Sequence, residues 1–183
     1  EENDLVTVLG FDIGGANTKA VALTMQNERV KTVKVAVEYF PVWKEPQKLA
    51  NVLLKLQKRL GANSVDACGI TMTAELSDAY QTKREGVQQI LDSAKKAFPN
   101  VSIYVLTTDA KLISPEPARQ DPLGVAAANW AATGWLVAQQ VKDCVVVDVG
   151  STSTSIIPIA NGQIVAKGEN DLEKLLCGEL VYT

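Results

Sequence analysis

The sequence predicts an α/β protein, one complete lobe followed by the start of a second. Three observations carry this. Short Val-, Ile- and Leu-rich runs come first as a group of three and then alternate with helix-patterned segments, the order expected of a sheet that opens as a meander and continues through crossovers. Between Gly10 and Leu23 an apolar run ends in an aspartate, turns through glycines and resumes as a second run. The same pattern returns between Cys144 and Ile159.

Leu5 to Phe11 is the first strand, and Ala20 to Leu23 is the core of the second. Between them stand Asp12, Gly14-Gly15 and the polar step Asn17-Thr18-Lys19. Adjacent glycines suit a hairpin turn that needs positive φ, and without Cβ atoms another molecule can approach the backbone amides. Gly14, Gly15, Asn17, the Thr18 hydroxyl and the Lys19 ammonium then make a cradle for phosphate oxygens. Asp12 is placed to hold a hydrated Mg²⁺ that neutralises the same phosphates. Alone, the segment also reads as an ordinary hairpin. The second copy, Asp148-Val149-Gly150-Ser151-Thr152, adds Gly150, Ser151 and Thr152 as phosphate ligands and Asp148 as a second metal ligand. Paired aspartate-glycine-hydroxyl hairpins resemble the phosphate loops of the actin, heat-shock-chaperone and sugar-kinase superfamily. That resemblance implies a ribonuclease-H-like fold, two lobes clamping a phosphate ligand, with a nucleotide as one such ligand.

Along the first lobe, Val30 to Val37 completes the meander, with Val33, Val35 and Val37 on one face. Tyr39-Phe40-Pro41-Val42-Trp43 breaks the pattern and reads as a packed loop in preference to a ligand-stacking platform. Pro46 opens a helix with Leu49, Val52, Leu53, Leu56 and Leu60 on one face, and Gly61 closes it. Val65 to Met72 follows a helix and so can lie parallel to the first strand. The polar stretch after it delivers Glu75 and Asp78 to the ligand-facing edge as site carboxylates, with Lys83 and Arg84 as anion contacts. Equally, Ser77 and Asp78 could cap a helix and Lys83 to Glu85 form a solvated face. Val87, Ile90, Leu91 and Ala94 mark a second amphipathic helix, and Val101 to Leu106 a fifth strand that runs into Asp109. Asp12, Glu75 and Asp109 are thus expected at one sheet edge, with Asp109 and Glu75 as candidate general bases and Lys19 as a catalytic cation. Ser114 to Pro117 reads as a loop, and Asp121-Pro122 as the start of a long Ala-rich helix to about Gln140, with Asn129 an unusual amide within it.

The first lobe accordingly occupies residues 1–139, and residues 140–183 begin a second, with its third strand at Gln163 to Lys167 after the Asn161-Gly162 turn. Turn and helix signals fill Asn170 to Thr183. A complete second lobe is expected to need roughly 100 or more further residues, so the chain reads as a fragment or as a lobe completed in trans.

Composition removes several functions. With 183 residues and 46% hydrophobic content the chain can bury a real core. A net charge of -3 leaves no electrostatic footprint for nucleic acid or an anionic membrane. No apolar run approaches the ~18 residues of a membrane span, and the acidic start Glu1-Glu2-Asn3-Asp4 is unlike a signal peptide. The absence of histidine excludes His-ligated zinc, a Ser-His-Asp triad and a Cys-His dyad from within this chain. Cys68, Cys144 and Cys177 are scattered, and Cys68 and Cys144 sit in strand patterns as small buried hydrophobes, which suits a reducing cytoplasm.

A narrower resemblance covers nearly the whole chain. Gly10 to Lys19, Thr71 to Asp78, Lys83-Arg84-Glu85-Gly86, Ala126 to Trp130, Val147 to Thr152 and Gly178 to Thr183 together resemble the tetrahydromethanopterin-linked C1-transfer-pathway proteins grouped with the hydantoinase/oxoprolinase family. Its archaeal members are methanofuran-biosynthesis synthases, which join an aminomethylfuran-methyl diphosphate to the phenol of γ-glutamyltyramine and release pyrophosphate. The resemblance implies a cytoplasmic transferase with a small-molecule diphosphate substrate, Mg²⁺ as cofactor, and homo-oligomerisation left open. Three other classes stay open: an ATP-dependent kinase, an ATP-assisted amide-ring hydrolase, and a non-catalytic lobe that binds phosphate ligands.

Overall fold

The computed structural model of the protein describes residues 5–150 and 153–182. β1 (Leu5–Ile13), β2 (Asn17–Gln26) and β3 (Arg29–Tyr39) form the expected antiparallel meander. β4 (Ala67–Met72) lies parallel to β1, and β5 (Ser102–Leu106) parallel to β4. An unexpected short strand, β6 (Leu112–Ile113), folds back antiparallel on β5, so the first sheet runs β3-β2-β1-β4-β5-β6.

α1 (Leu49–Leu60), entered through a 3₁₀ turn at Pro46–Lys48, buries Leu49, Leu53, Leu56 and Leu60 against one face of this sheet. Those apolar residues recur every three or four positions, and each buried leucine contributes about 2 kcal/mol. Gly61 ends the helix in the left-handed region at φ 69°, as its position after the last periodic leucine predicts. α2 (Lys83–Ala97) starts at Thr82, not at Ser77 or Asp78: the Thr82 side chain accepts from the Glu85 amide, and the Glu85 carboxylate accepts from the Gln81 amide. Phe11 stacks on Phe98 at 5.7 Å in the same core. Val33, Val35 and Val37 do share a face, but it is the exposed one, because Ala20, Ala22 and Ala36 point towards α1.

Two elements differ from expectation. Pro115–Gln120 is a short helix, α3, rather than a loop; its prolines fall in the first turn, where a missing N–H is tolerated. The long Ala-rich helix does not begin at Asp121. Residues 121–128 form an irregular segment in which Ala127 has φ 51°, a value no helix accommodates, and Ala126 makes a parallel bridge to Met72. The helix, α4, is only Asn129–Ala138. It packs on the second sheet, with Trp130 and Ala131 against Ile157. Gly134 permits that approach, since a Cβ there would lie 2.8 Å from Ile157 and Ile164.

The second sheet contains β7 (Cys144–Val149), β8 (Ser153–Ala160), β9 (Gln163–Ile164) and β10 (Leu180–Tyr182). Asn161 and Gly162 turn the β8-β9 hairpin at φ 53° and 73°, as an Asn-Gly pair should. The expected third strand is split. β9 pairs with Ile159 and Ala160 of β8, the chain leaves after Val165 bonds Pro158, and it returns where Glu179 accepts from the Ile156 amide, continuing as β10 opposite Ser155 to Ser153. The excursion carries α5 (Asp171–Leu176), capped by the Asn170 side chain on the Glu173 amide.

Candidate functional site

A cleft of about 500 Å³ opens where the two hairpins face each other. The first lobe contributes Asp12, Asn17 and Lys19, and the second contributes Asp148, Gly150 and Ser155. Alternation along the strands explains the selection. Asp12 pairs with Lys19 across β1 and β2, and Asp148 with Ser155 across β7 and β8, so each row presents one face.

The hairpins are built alike. The Gly14 amide donates to the Asn17 carbonyl at 3.0 Å, and the Gly150 amide to the Ser153 carbonyl at 2.8 Å. A Cβ would stand 2.8 Å from the first carbonyl and 2.9 Å from the second, so glycine is required for closeness of approach. Neither Gly14 nor Gly15 has the positive φ expected of the turn. The amides of Gly14 and Gly150 are therefore used within the hairpins instead of facing a phosphate. Those of Gly15 and Ala16 donate to no hydrogen bond among the described residues, and a Cβ on Gly15 would meet open space. Ser151 and Thr152, expected as phosphate ligands, lie outside the described residues. Thr18 is turned away: it alternates with Asn17 and Lys19, so its hydroxyl is buried under the sheet without a partner.

Lys19 lies 2.8 Å from Asp12. The Asp12 carboxylate raises the Lys19 pKa by hydrogen bond and charge, and Asp148 adds to the effect from across the cleft. Asp148 itself accepts from Thr133 of α4 at 3.2 Å. Two carboxylates and no nitrogen or sulfur donors suit Mg²⁺, which keeps several waters and takes its other ligands from substrate phosphates. No group of three His, Cys, Asp or Glu able to hold a metal occurs among the described residues, so any metal here would depend on water and ligand oxygens.

Glu75 and Asp109 do not join this cluster. Glu75 sits in a 3₁₀ turn at Ala74–Leu76, buried beneath the cleft while its neighbours Thr73, Ser77 and Asp78 line it. One carboxylate oxygen accepts from the Ala127 amide at 2.8 Å and the other has no partner. Burial pushes its pKa up to about 7. Asp109 stands at the exposed tip of the β5-β6 connection, hydrogen-bonded by Thr107 and paired with Lys111 at 2.6 Å. The Lys111 and Thr107 bonds hold its carboxyl below the usual range. The unrecognised turn back into β6 removes it from the cleft lining. Lys83 reaches Asp171 of α5 at 3.5 Å, a link between the lobes, and Arg84 donates to the Arg119 carbonyl.

A profile of the family described as hydantoinase/oxoprolinase matches residues 66–182. The chain belongs to the hydantoinase/oxoprolinase family. The (4-{4-[2-(gamma-L-glutamylamino)ethyl]phenoxymethyl}furan-2-yl)methanamine synthase of Methanocaldococcus jannaschii is 40% identical over 178 residues, 97% of this chain and 50% of that protein. The Methanococcus vannielii protein of the same name is 51% identical over 41 residues, 22% of this chain and 18% of the relative. The chain thus spans about half the length of the M. jannaschii relative. Among solved structures, an exopolyphosphatase from Cytophaga hutchinsonii superposes with TM-score 0.52 at 14% identity, covering 94% of this chain and 53% of that one. An Aquifex aeolicus Ppx/GppA family member gives 0.50 at 15% identity, covering 89% and 50%. At such identities the likeness establishes the fold alone, an actin-like α/β fold carried here on a hydantoinase/oxoprolinase-family chain.

Several cleft residues of this family member were not legible as site residues. Asn129, the unusual amide and first residue of α4, lines the cleft. Lys174 was missed. It is fully buried on the inserted segment, with Nζ 3.5 Å from the Trp130 ring centroid and no hydrogen-bond partner. Desolvation lowers its pKa, against the pull of the Glu179 and Asp171 charges. Gly168 makes the burial possible, because a Cβ there would lie 2.4 Å from the Lys174 amide nitrogen. A lysine on an amphipathic one-and-a-half-turn helix carries no sequence signal of that position.

Proposed function

We propose that the protein is a diphosphate-displacing transferase of the kind named for its M. jannaschii relative, joining an aminomethylfuran-methyl diphosphate to the phenol oxygen of γ-glutamyltyramine and releasing pyrophosphate. The observation that carries this reading is identity of 40% over nearly the whole chain, in a sequence whose two aspartate-glycine hairpins face one cleft. Lys19 and the amides of Gly15 and Ala16 bind diphosphate oxygens from the first lobe, and Ser153 and Ser155, which line the cleft on β8, bind them from the second. Asp12 and Asp148 would hold Mg²⁺, which supplies charge neutralisation for the leaving pyrophosphate when bound. The phenol oxygen forms a bond to the methylene carbon as the carbon–oxygen bond to diphosphate breaks. Asp78, exposed on the cleft rim, accepts the phenolic proton in place of Glu75 and Asp109, which the geometry leaves outside the lining. The three free thiols fit a reducing cytoplasm. No helix among the described residues is long and apolar enough to cross a membrane.

Membership of the hydantoinase/oxoprolinase family supports a second reading, an ATP-assisted amide-ring hydrolase using the same hairpins for ATP. Calorimetric titration of the full-length protein separates the two. Tight Mg-pyrophosphate binding without Mg-ATP binding is expected, with Asp12→Asn weakening it at least about tenfold through lost metal and charge. Mg-ATP binding in its place sinks the transferase reading.

A further inference from the structure

Trp43 is 47% exposed although Phe40 and Val42 beside it are buried. The segment is a packed loop at those two residues only. Their amides donate to the Ala16 and Gly15 carbonyls, each at 2.9 Å, so the loop is strapped along the outside of the first phosphate hairpin. Trp43 follows immediately and lines the cleft next to the hairpin. On the other lobe Tyr182, 59% exposed, also lines the cleft. It pairs opposite Ser153, one step along from the Leu180, Ser155 and Asp148 row that faces the same space. Each lobe therefore sets a large, solvent-exposed aromatic surface beside its own phosphate hairpin. Rigid aromatics hold little conformational entropy for their area, and a ring packed on them gains both burial and quadrupole contacts.

We propose that Trp43 and Tyr182 are the ring-recognition walls of the cleft, selecting a planar aromatic ring joined through a methylene to the phosphate groups held by the hairpins. The inference rests on the diphosphate reading above and extends it from the phosphate end of the ligand to its ring. It assigns the two lobes a shared role in specificity: the hairpins read the phosphates, and the aromatic walls favour a flat ring over a saturated tail, which offers the ring faces less contact.

The test uses the full-length protein with Mg²⁺ and two ligands, pyrophosphate and a benzyl ligand, (2-phenylethyl)phosphonyl phosphate, in which CH2 replaces the ester oxygen so that no carbon–oxygen bond is left to break. Trp43→Ala and Tyr182→Ala are each expected to weaken the benzyl ligand by about three- to tenfold, the range of one stacking contact, while pyrophosphate affinity stays within about twofold. Trp43→Phe should restore most of the benzyl affinity. Equal losses for both ligands would mean that Trp43 only props the hairpin, and unchanged benzyl affinity in both alanine variants would mean that the walls touch no ring. Either result overturns the inference and leaves the diphosphate reading standing. Failure of the unmodified protein to bind pyrophosphate overturns both.

Discussion

Glu75 shows how a single buried group can tie the cleft to its support. Its carboxyl holds the Ala127 amide at a backbone conformation, φ 51°, that an alanine adopts only under constraint. The folded pKa is raised from 4.5 to about 7 by burial, so the neutral acid is the favoured folded form. The associated stability is fully present below pH 4.5 and is lost as pH rises through 7, a change of about 3 kcal/mol at most. Glu75→Gln keeps an acceptor for Ala127 and has no charge to desolvate. Urea unfolding should find this variant close to wild type at pH 4 and more stable at pH 8; parallel pH profiles for the two proteins would refute the assignment. Lys174 has the opposite sign. Its lowered pKa is a penalty on the folded protein while the ammonium persists, relieved as pH rises from the folded value to the ordinary lysine value of 10.5. Lys174→Met keeps the apolar stem over Trp130 and loses the ion, at the expense of a cation–π contact. A net gain of about 1 kcal/mol at pH 7 is expected, shrinking towards pH 10; a loss at neutral pH would show the ammonium to be favourable where it lies.

At the scale of elements, the two hairpins are the same device made twice, and closeness of approach defines both. Gly14→Ala would drive a Cβ against the Asn17 carbonyl, which belongs to the backbone and cannot swing aside. A loss of about 1–3 kcal/mol is expected by chemical denaturation, together with loss of pyrophosphate binding. Gly15→Ala, whose Cβ meets open space, should leave stability unchanged; equal destabilisation by both would contradict the hairpin geometry. Elements with strong periodicity were legible in advance. Strand alternation and Leu spacing placed β1 to β5, α1 and α2, and Asn161-Gly162 announced its turn. What failed was local chemistry with more than one outcome. Ala126, Ala127 and Ala128 have high helix propensity, yet the Ala127 bond to Glu75 and the Ala126 bridge to Met72 hold them in an irregular path. The same limitation applies to Asp109: a two-residue β6 leaves almost no pattern, and without it the end of β5 reads as directed at the cleft.

For the molecule as a whole, the duplication of aspartate-glycine hairpins was the decisive signal, because two such hairpins far apart in sequence must meet if each is half of one site. Asp12, Asn17, Lys19 and Asp148 meet in the cleft as that logic requires. The partners that close the cleft came from segments without a motif, Trp43 beyond a meander and Lys174 within an insertion. Lys83 and Asp171 join across the lobes at 3.5 Å, so the inserted helix touches the first lobe directly. The insertion itself leaves β8 at Pro158 and rejoins it at Ile156 without disturbing the register on either side. The hydrogen bonds of β8 therefore do not set the length of the excursion, which is tied down by what Lys174 and Asp171 touch.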